Sequence, residues 1–372
     1  MMLYLDCAAT SFPKPQEVLD EVVRCIGEYC GNPGRSGHRL SLASAEQIYR
    51  CRCRVCSFFH YESPERLIFV SGATHGLNLA IASFFKPGGH ILISDLEHNA
   101  TLRVVHALCC ERGGSYDVFP HKGNVSEALE SKIRPQTTMV VCTEASNVTG
   151  QLLPIAEISR ICKHRGLELV IDGAQGAGHA DNDLGTLYFS AYCASSHKAL
   201  YGIQGSGFVI FGRDPLYEYM RGGTGVDSFS REMPSYLPER YEAGTPSTPA
   251  IVSLLSGIEY LESHPQMLSI AQNCGRMLEK RIQNLPLRIY SQYDNPCGIV
   301  SFAANGIPSD QFAERMSQKG ICVRGGLHCA PLAHQTLGTQ ATGLVRVSFG
   351  IFHTERDVDM AANAIEASIK ET

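Results

Sequence analysis

The chain has no tryptophan, and charged residues fill only 19% of its 372 positions. Scarce charge beside 44% hydrophobic residues excludes a disordered, self-repelling chain and fits a globular one. The formal net charge of −5 gives no general attraction to nucleic acid or to an anionic membrane. No apolar run reaches membrane-spanning length. The start, Met1-Met2-Leu3-Tyr4-Leu5-Asp6, lacks the basic residues and long apolar stretch of a signal peptide. Repeats and low-complexity tracts are also missing. Cysteine, by contrast, is plentiful: 15 residues, an odd number with no recurring disulfide spacing. That usage points to a cytoplasmic protein whose thiols are mostly small buried hydrophobes.

A chain of this length exceeds one ordinary core, so a large and a smaller domain are expected. β-type runs occur over 66–70, 90–94, 116–119, 138–143, 167–172, 192–195 and 207–211. Between them lie a turn-rich loop over 32–38 and helical patterns over 16–29, 41–59, 77–84, 101–112 and 154–165. Alternating strands and helices, with several strands continuously apolar, predict a mainly parallel sheet covered on both faces. Such sheets bind ligands beyond the carboxyl ends of their strands. Thr74, His98, Asn147, Asp172 and Ser195 each fall at or just past such an end, so one site could collect them. The pattern breaks into loops over 221–249. Helices over 250–263, 267–284, 309–318 and 355–369, with strands over 287–290, 298–302, 321–324 and 344–349, then read as a second α+β unit. The helix over 41–59 holds Cys51, Cys53 and Cys56, but the thiols spread around it and no second pair matches them, so no metal is expected.

Two stretches carry chemistry. The first is Ser195-Ser196-His197-Lys198, preceded by an apolar strand ending at Asp172. Taken alone, Lys198 reads as a surface lysine and Asp172 as a capping carboxylate. Together they form the pair that pyridoxal phosphate asks of a protein: a lysine to hold it as a Schiff base and a carboxylate to face its pyridine nitrogen. Ser195 and His197 add donors suited to phosphate, Thr74 opens a strand–turn–helix phosphate cradle, and Gln175 could reach the ring hydroxyl. The second stretch is Arg324-Gly325-Gly326-Leu327-His328-Cys329-Ala330-Pro331. Cationic neighbours, Arg324 and His328, would favour the thiolate of Cys329, the nucleophilic form. Residues 333–342 read as loop, which suggests that Cys329 is exposed. Arg346, in an apolar strand, is either an edge-strand charge or a bidentate carboxylate clamp.

The ordered set Tyr4-Leu5-Asp6-Cys7-Ala8-Ala9, Glu97-His98-Asn99, Ser146-Asn147-Val148-Thr149-Gly150, Asp172-Gly173-Ala174-Gln175, Ser195-Ser196-His197-Lys198, Glu242-Ala243-Gly244-Thr245-Pro246 and Arg324 to Cys329 resembles the cysteine desulfurases and selenocysteine lyases. These are class V aminotransferases, enzymes of the pyridoxal-phosphate fold type I. The resemblance spans nearly the whole chain. It implies an α/β large domain over 16–249 with a mainly parallel seven-stranded sheet. It also implies a small α+β domain over 250–372 carrying the Cys loop, with the segment 1–15 packing on the small domain. By position it implies that Lys198 bonds the cofactor and moves the Cα proton, and that Asp172 pairs with the pyridine nitrogen and Gln175 with the phenolic oxygen. His98 would stack on the ring. Thr74, Ser195 and His197 would bind the phosphate, joined by Thr245 from the second subunit of a homodimer. Asn147 and Arg346, with Arg324 nearby, would hold the substrate carboxylate. Cys329 would take sulfur from L-cysteine as a persulfide and leave alanine. The alternatives are a selenocysteine lyase acting on L-selenocysteine, or an aminotransferase or epimerase of the same fold. Cys329-Ala330-Pro331 resembles the group with a short, ordered cysteine loop, which implies a sulfur-accepting partner protein.

Overall fold

The computed structural model describes residues 2–34, 36–180 and 183–371. Arg35, in the expected loop over 32–38, lies outside the described residues, as does Met1. The strands are β1 (Leu3–Tyr4), β2 (Leu67–Val70), β3 (His90–Ser94), β4 (Ser115–Phe119), β5 (Thr137–Thr143), β6 (Glu168–Asp172), β7 (Ala191–Ser195), β8 (Gly207–Phe211), β9 (Leu287–Ile289), β10 (Ile299–Ala304), β11 (Ile321–Cys322) and β12 (Val345–Ser348).

Seven of these form one sheet in the order β2-β8-β7-β6-β5-β3-β4. β3 to β7 pair in parallel with their neighbours, and β8 runs against both β7 and β2. Apart from the edge strand β4, of which only Phe119 is buried, the strands are buried on both faces, and alternate residues enter two different cores, as the two-residue period of a strand requires. In β8, Phe208 and Ile210 join one core and Val209 and Phe211 the other; in β6, Leu169 and Ile171 oppose Val170. The helices Ala73–Phe84 and Asn99–Glu111 cover the Val209 face. The helices Arg39–Phe58, Ile155–Arg165 and Thr248–Ser263 cover the Phe208 face.

The helix Thr248–Ser263 packs Ile251, Leu254, Ile258 and Leu261 into the core that holds Phe208 and Ile210, a core that Ala330, Ala333, Leu344 and Ile351 also enter. The C-terminal unit packs β10, β12 and the helices Ile270–Ile282, Ser309–Gln318 and Glu355–Lys370 around Phe302, Phe312, Val347 and Ile365. Leu5 joins that core, and β1 pairs in parallel with β11. Two further helices, Val125–Lys132 and Pro331–Leu337, were not anticipated. The second corrects the loop expected over 333–342 and begins two residues after Cys329. The helical pattern over 16–29 is an α-helix only through Gln16–Arg24; a π-helical turn, Cys25–Tyr29, completes it.

Candidate active site

At the carboxyl ends of β5, β6 and β7 the chain encloses a cavity of about 200 Å³. Thr74, His98, Asn147, Asp172, Gln175, Ser195, His197, Lys198, Arg324 and Arg346 all line it. The parallel register explains the convergence, because loops leaving adjacent strands at the same end must meet there.

Asp172 and Lys198 set the electrostatics of the cavity. Asp172 is buried, and its Oδ1 accepts from the Ala174 amide at 2.9 Å. Burial raises its pKa, while that bond and the Lys198 charge pull it back down. Burial lowers the pKa of Lys198; Asp172 opposes this, and the Arg346 and Arg324 charges assist it. A lysine held in this way supplies a free amine more readily than an exposed one. His98 caps the helix Asn99–Glu111, with Nδ1 accepting from the Ala100 amide at 3.0 Å, so its proton sits on Nε2. Burial, then Lys198, Arg324 and Arg346, push its pKa down to about 4, so the ring is neutral near pH 7.

One end of the cavity collects hydrogen-bond donors. The helix Ala73–Phe84 starts there, and Ser195 Oγ accepts from the Ala73 amide at 3.0 Å. Gly72, at φ +154°, makes the turn that aims this helix. His197 Nδ1 and Gln175 Oε1 are buried with no hydrogen-bond partner among the described residues. Unpaired polar atoms around a polar cavity are what a bound cofactor would satisfy. Pyridoxal phosphate therefore fits the residues present: Lys198 for its aldehyde, Asp172 for its ring nitrogen, and Thr74, Ser195 and His197 for its phosphate.

The opposite end is cationic. Arg346 is buried, donating from Nη2 to Asp6 Oδ1 at 2.7 Å and from Nη1 to the Asn147 carbonyl at 2.9 Å, while its Nε has no partner among the described residues. Its backbone bridges that of Arg324, so two guanidinium groups leave neighbouring backbone positions. This site suits a carboxylate. Asn147 commits its amide to the chain, donating from Nδ2 to the carbonyl of His328, which also lines the cavity, at 2.8 Å.

Two expected site residues lie elsewhere. Cys329 is exposed and does not line the cavity. It sits beside it, because His328 does line it. His328 and Cys329 hold φ of +51° and +56°, an uncommon left-handed pair for residues with side chains. The expected cationic assistance from His328 is corrected. Its ring is buried, and burial, then the Arg346 charge, push its pKa down to about 3. It lies 3.3 Å from the Arg324 carbonyl through Nε2 and stacks on His334 at 5.7 Å. Thr245 lines a separate cavity of about 630 Å³ with Ser71 and His75.

Comparison with known proteins gives this geometry its relatives. The sequence model of the family described as Aminotransferase class-V matches residues 3–360. The chain belongs to that family. A cysteine desulfurase of Serratia proteamaculans is 31% identical, with 96% of this chain and 91% of the relative covered. A probable cysteine desulfurase of Vibrio cholerae is 29% identical over 99% of this chain and 94% of the relative. The solved apo structure of the Thermococcus onnurineus cysteine desulfurase superposes with a TM-score of 0.91 at 25% identity, covering 100% of this chain and 95% of that one.

Several residues around the site carry little mark in the sequence. The carbonyl of His197, one bond before Lys198, accepts from Lys14 Nζ at 2.9 Å, Ser11 N at 3.0 Å, Thr10 Oγ1 at 3.1 Å and Ser11 Oγ at 3.2 Å. Pro13 and Pro15 around Lys14 read only as a helix start, so nothing marked this cluster. Glu97 and Glu144 are buried near Asp172, and burial pushes each up to about 8. Glu97 accepts from the Thr143 amide at 2.7 Å and Glu144 from the Tyr192 hydroxyl at 2.8 Å. Each stands within three residues of the end of a buried strand, β3 or β5, and that place was the available signal.

Proposed function

We propose that this enzyme is a pyridoxal-phosphate-dependent cysteine desulfurase, which converts L-cysteine to L-alanine and leaves the sulfur on Cys329. The observation that carries the reading is the convergence of a lysine–carboxylate pair, a buried arginine clamp and an exposed cysteine around one cavity. The names of the relatives support the same activity.

When bound, the cofactor supplies an electron sink for negative charge at the substrate Cα. The residues supply the rest. Arg346, with Arg324, binds the substrate carboxylate and turns the Cα–H bond toward Lys198. Lys198, its amine favoured by burial, moves the Cα proton. Neutral His98 covers the ring and offers Nε2–H to the reacting end. Cys329 Sγ attacks the substrate sulfur. A new S–S bond forms as the substrate Cβ–S bond breaks, and the electron pair of that bond stays on carbon. Sulfur is oxidised to a persulfide and Cβ is reduced to a methyl group. Of the two thiol protons, one remains on the persulfide and one ends in the methyl group of alanine. A thiol acceptor, protein or small molecule, then removes the outer sulfur.

The proposal includes a reducing cytoplasm, which suits 15 free cysteines. Among the described residues no helix is long and apolar enough to cross a membrane. The two-unit division is part of the reading, with the junction after Ser263. The test is Cys329→Ala in the yellow, cofactor-loaded protein, with alanine, sulfide and selenide measured from L-cysteine and L-selenocysteine. Alanine release from L-cysteine should drop at least a hundredfold while the cofactor band stays. Release at the parent rate would overturn the reading in favour of an aminotransferase or epimerase. Release confined to L-selenocysteine would make it a selenocysteine lyase.

A further inference from the structure

Three bonds fasten the cysteine-bearing segment to the large unit. The Cys329 carbonyl accepts from the Asn99 amide at 2.7 Å. The His328 carbonyl accepts from Asn147 Nδ2 at 2.8 Å. Seven residues on, Thr336 Oγ1 donates to Asp95 Oδ2 at 3.0 Å. The first and third end on one short segment, residues 95–99, between β3 and the helix Asn99–Glu111. The same segment carries His98 into the cavity. The distance from Cys329 to the cavity is therefore set against the residue that faces the cofactor ring.

Asp95 is built as the anchor. It is buried, and its Oδ1 accepts from His121 twice, from the backbone amide at 2.9 Å and from Nδ1 at 2.8 Å. A carboxylate can only accept from this pair, so Nδ1 carries the proton. The Asp95 amide is in turn bonded to the Phe119 carbonyl at 3.0 Å, tying it to the end of β4. One carboxylate oxygen is thus fully engaged within the large unit, and the other faces the helix Pro331–Leu337. Ala330, Ala333 and Leu337 pack that helix against one core, Leu332 against the other, and the buried His334 stacks on His328. The Thr336 hydroxyl, on an exposed position, adds a directional bond from the helix to the segment that carries His98.

We propose that Asp95 and Thr336 are positioning residues for sulfur transfer: their bond, backed by His121, locks the helix that follows Cys329 and so fixes where its sulfur stands relative to the cavity. The inference rests on the desulfurase reading. Neither residue touches the cavity, so substrate binding and Cα chemistry should not depend on the bond. Attack by Cys329 should, because a misplacement of about 1 Å costs up to about a hundredfold in rate.

The test compares the cofactor-loaded parent with Thr336→Val, which keeps shape and loses the donor, and Thr336→Ser, which keeps the donor. Thr336→Val should show the parent cofactor band, the parent substrate-induced spectral change and a KM for L-cysteine within about twofold. Its kcat for alanine release, and single-turnover persulfide formation on Cys329, should fall about tenfold. Thr336→Ser should return both to within about twofold. A parent-like kcat in Thr336→Val overturns the proposal, and so does a slow Thr336→Ser. Loss of the cofactor band in Thr336→Val overturns it too, since the bond would then serve the fold at large. Cys329→Ala separates the two readings. If it releases no alanine while Thr336→Val runs at the parent rate, the lock alone fails. If it releases alanine at the parent rate, both fail together.

Discussion

Buried ionisable groups crowd around the cavity, and their shifts run in opposite directions. His98, His179 and His197 are pushed down to about 4 and His328 to about 3, in each case first by burial. As the pH falls from about 6.5 to 4 the unfolded chain binds four protons that the folded chain refuses, so stability falls with falling pH. Glu97 and Glu144, pushed up to about 8, act the other way. Between about 4.5 and 8 they stay protonated when folded and ionise when unfolded, so stability falls as pH rises. Four histidines outweigh two glutamates on the acid side, and from about 6.5 to 8 the glutamates set the slope. The cofactor-free protein should therefore have its highest thermal midpoint near pH 6.5, with losses on both sides. Differential scanning calorimetry from pH 4.5 to 8.5 checks this. The alkaline loss should flatten in Glu97→Gln/Glu144→Gln, and an equally steep alkaline limb in that variant would remove the glutamates from the account.

The seven strands of the main sheet were legible within a residue or so of their ends, because β-branched and aromatic runs such as Gly207-Phe208-Val209-Ile210-Phe211 leave little room for another element. The cofactor end of the site was legible for the same reason: Thr74, His98, Asn147, Asp172 and Ser195 stand where such strands stop. Three elements were not. The helix Val125–Lys132 is short and mostly polar, with only Val125 and Leu129 buried. Pro331–Leu337 has seven residues and no long apolar stripe. The helix Thr248–Ser263 was legible as a helix, but not which core its apolar face enters, since an apolar helix does not say that. Loop packing was equally silent, and the segment after β6 shows why that matters. A Cβ on Gly176 would run into the Glu144 carboxyl, and one on Gly173 into the Tyr192 ring. The loop carrying Asp172 and Gln175 is thus pressed onto the buried Glu144–Tyr192 pair. Gly176→Ala should lift it, weakening pyridoxal phosphate binding by about tenfold or more and lowering the thermal midpoint by several degrees. Titration of the apo-protein with cofactor reads the first effect. Parent affinity in that variant would mean that the loop position does not matter to the site.

The single chain leaves apolar side chains exposed in two segments. Leu19, Val23 and Ile26 lie exposed at helical spacing, and Val226, Phe229 and Tyr236 are exposed in the long loop before Thr245. Apolar surface of this extent usually marks an interface. The cavity lined by Thr245 adjoins the phosphate end of the active site through one stretch of backbone. Ser71 and His75 face Thr245's cavity, and Ala73 and Thr74 between them face Lys198's. A hydroxyl that cannot enter its own site can enter a neighbour's if a two-fold axis brings two chains together across this surface. We therefore expect a homodimer, with a solution mass near twice the 40.6 kDa of one chain. Mixing decides whether Thr245 acts across the interface. Thr245→Val alone should bind cofactor several-fold more weakly, by the loss of one hydrogen bond to a charged group. Lys198→Ala alone should show no Schiff-base absorption. When the two are unfolded together and refolded as mixed dimers, the Thr245→Val chain keeps its own Lys198 and receives an intact Thr245 from its partner. Those sites should regain parent affinity. If Thr245 served its own chain, mixing would restore nothing, and a mass near that of one chain would remove the dimer altogether.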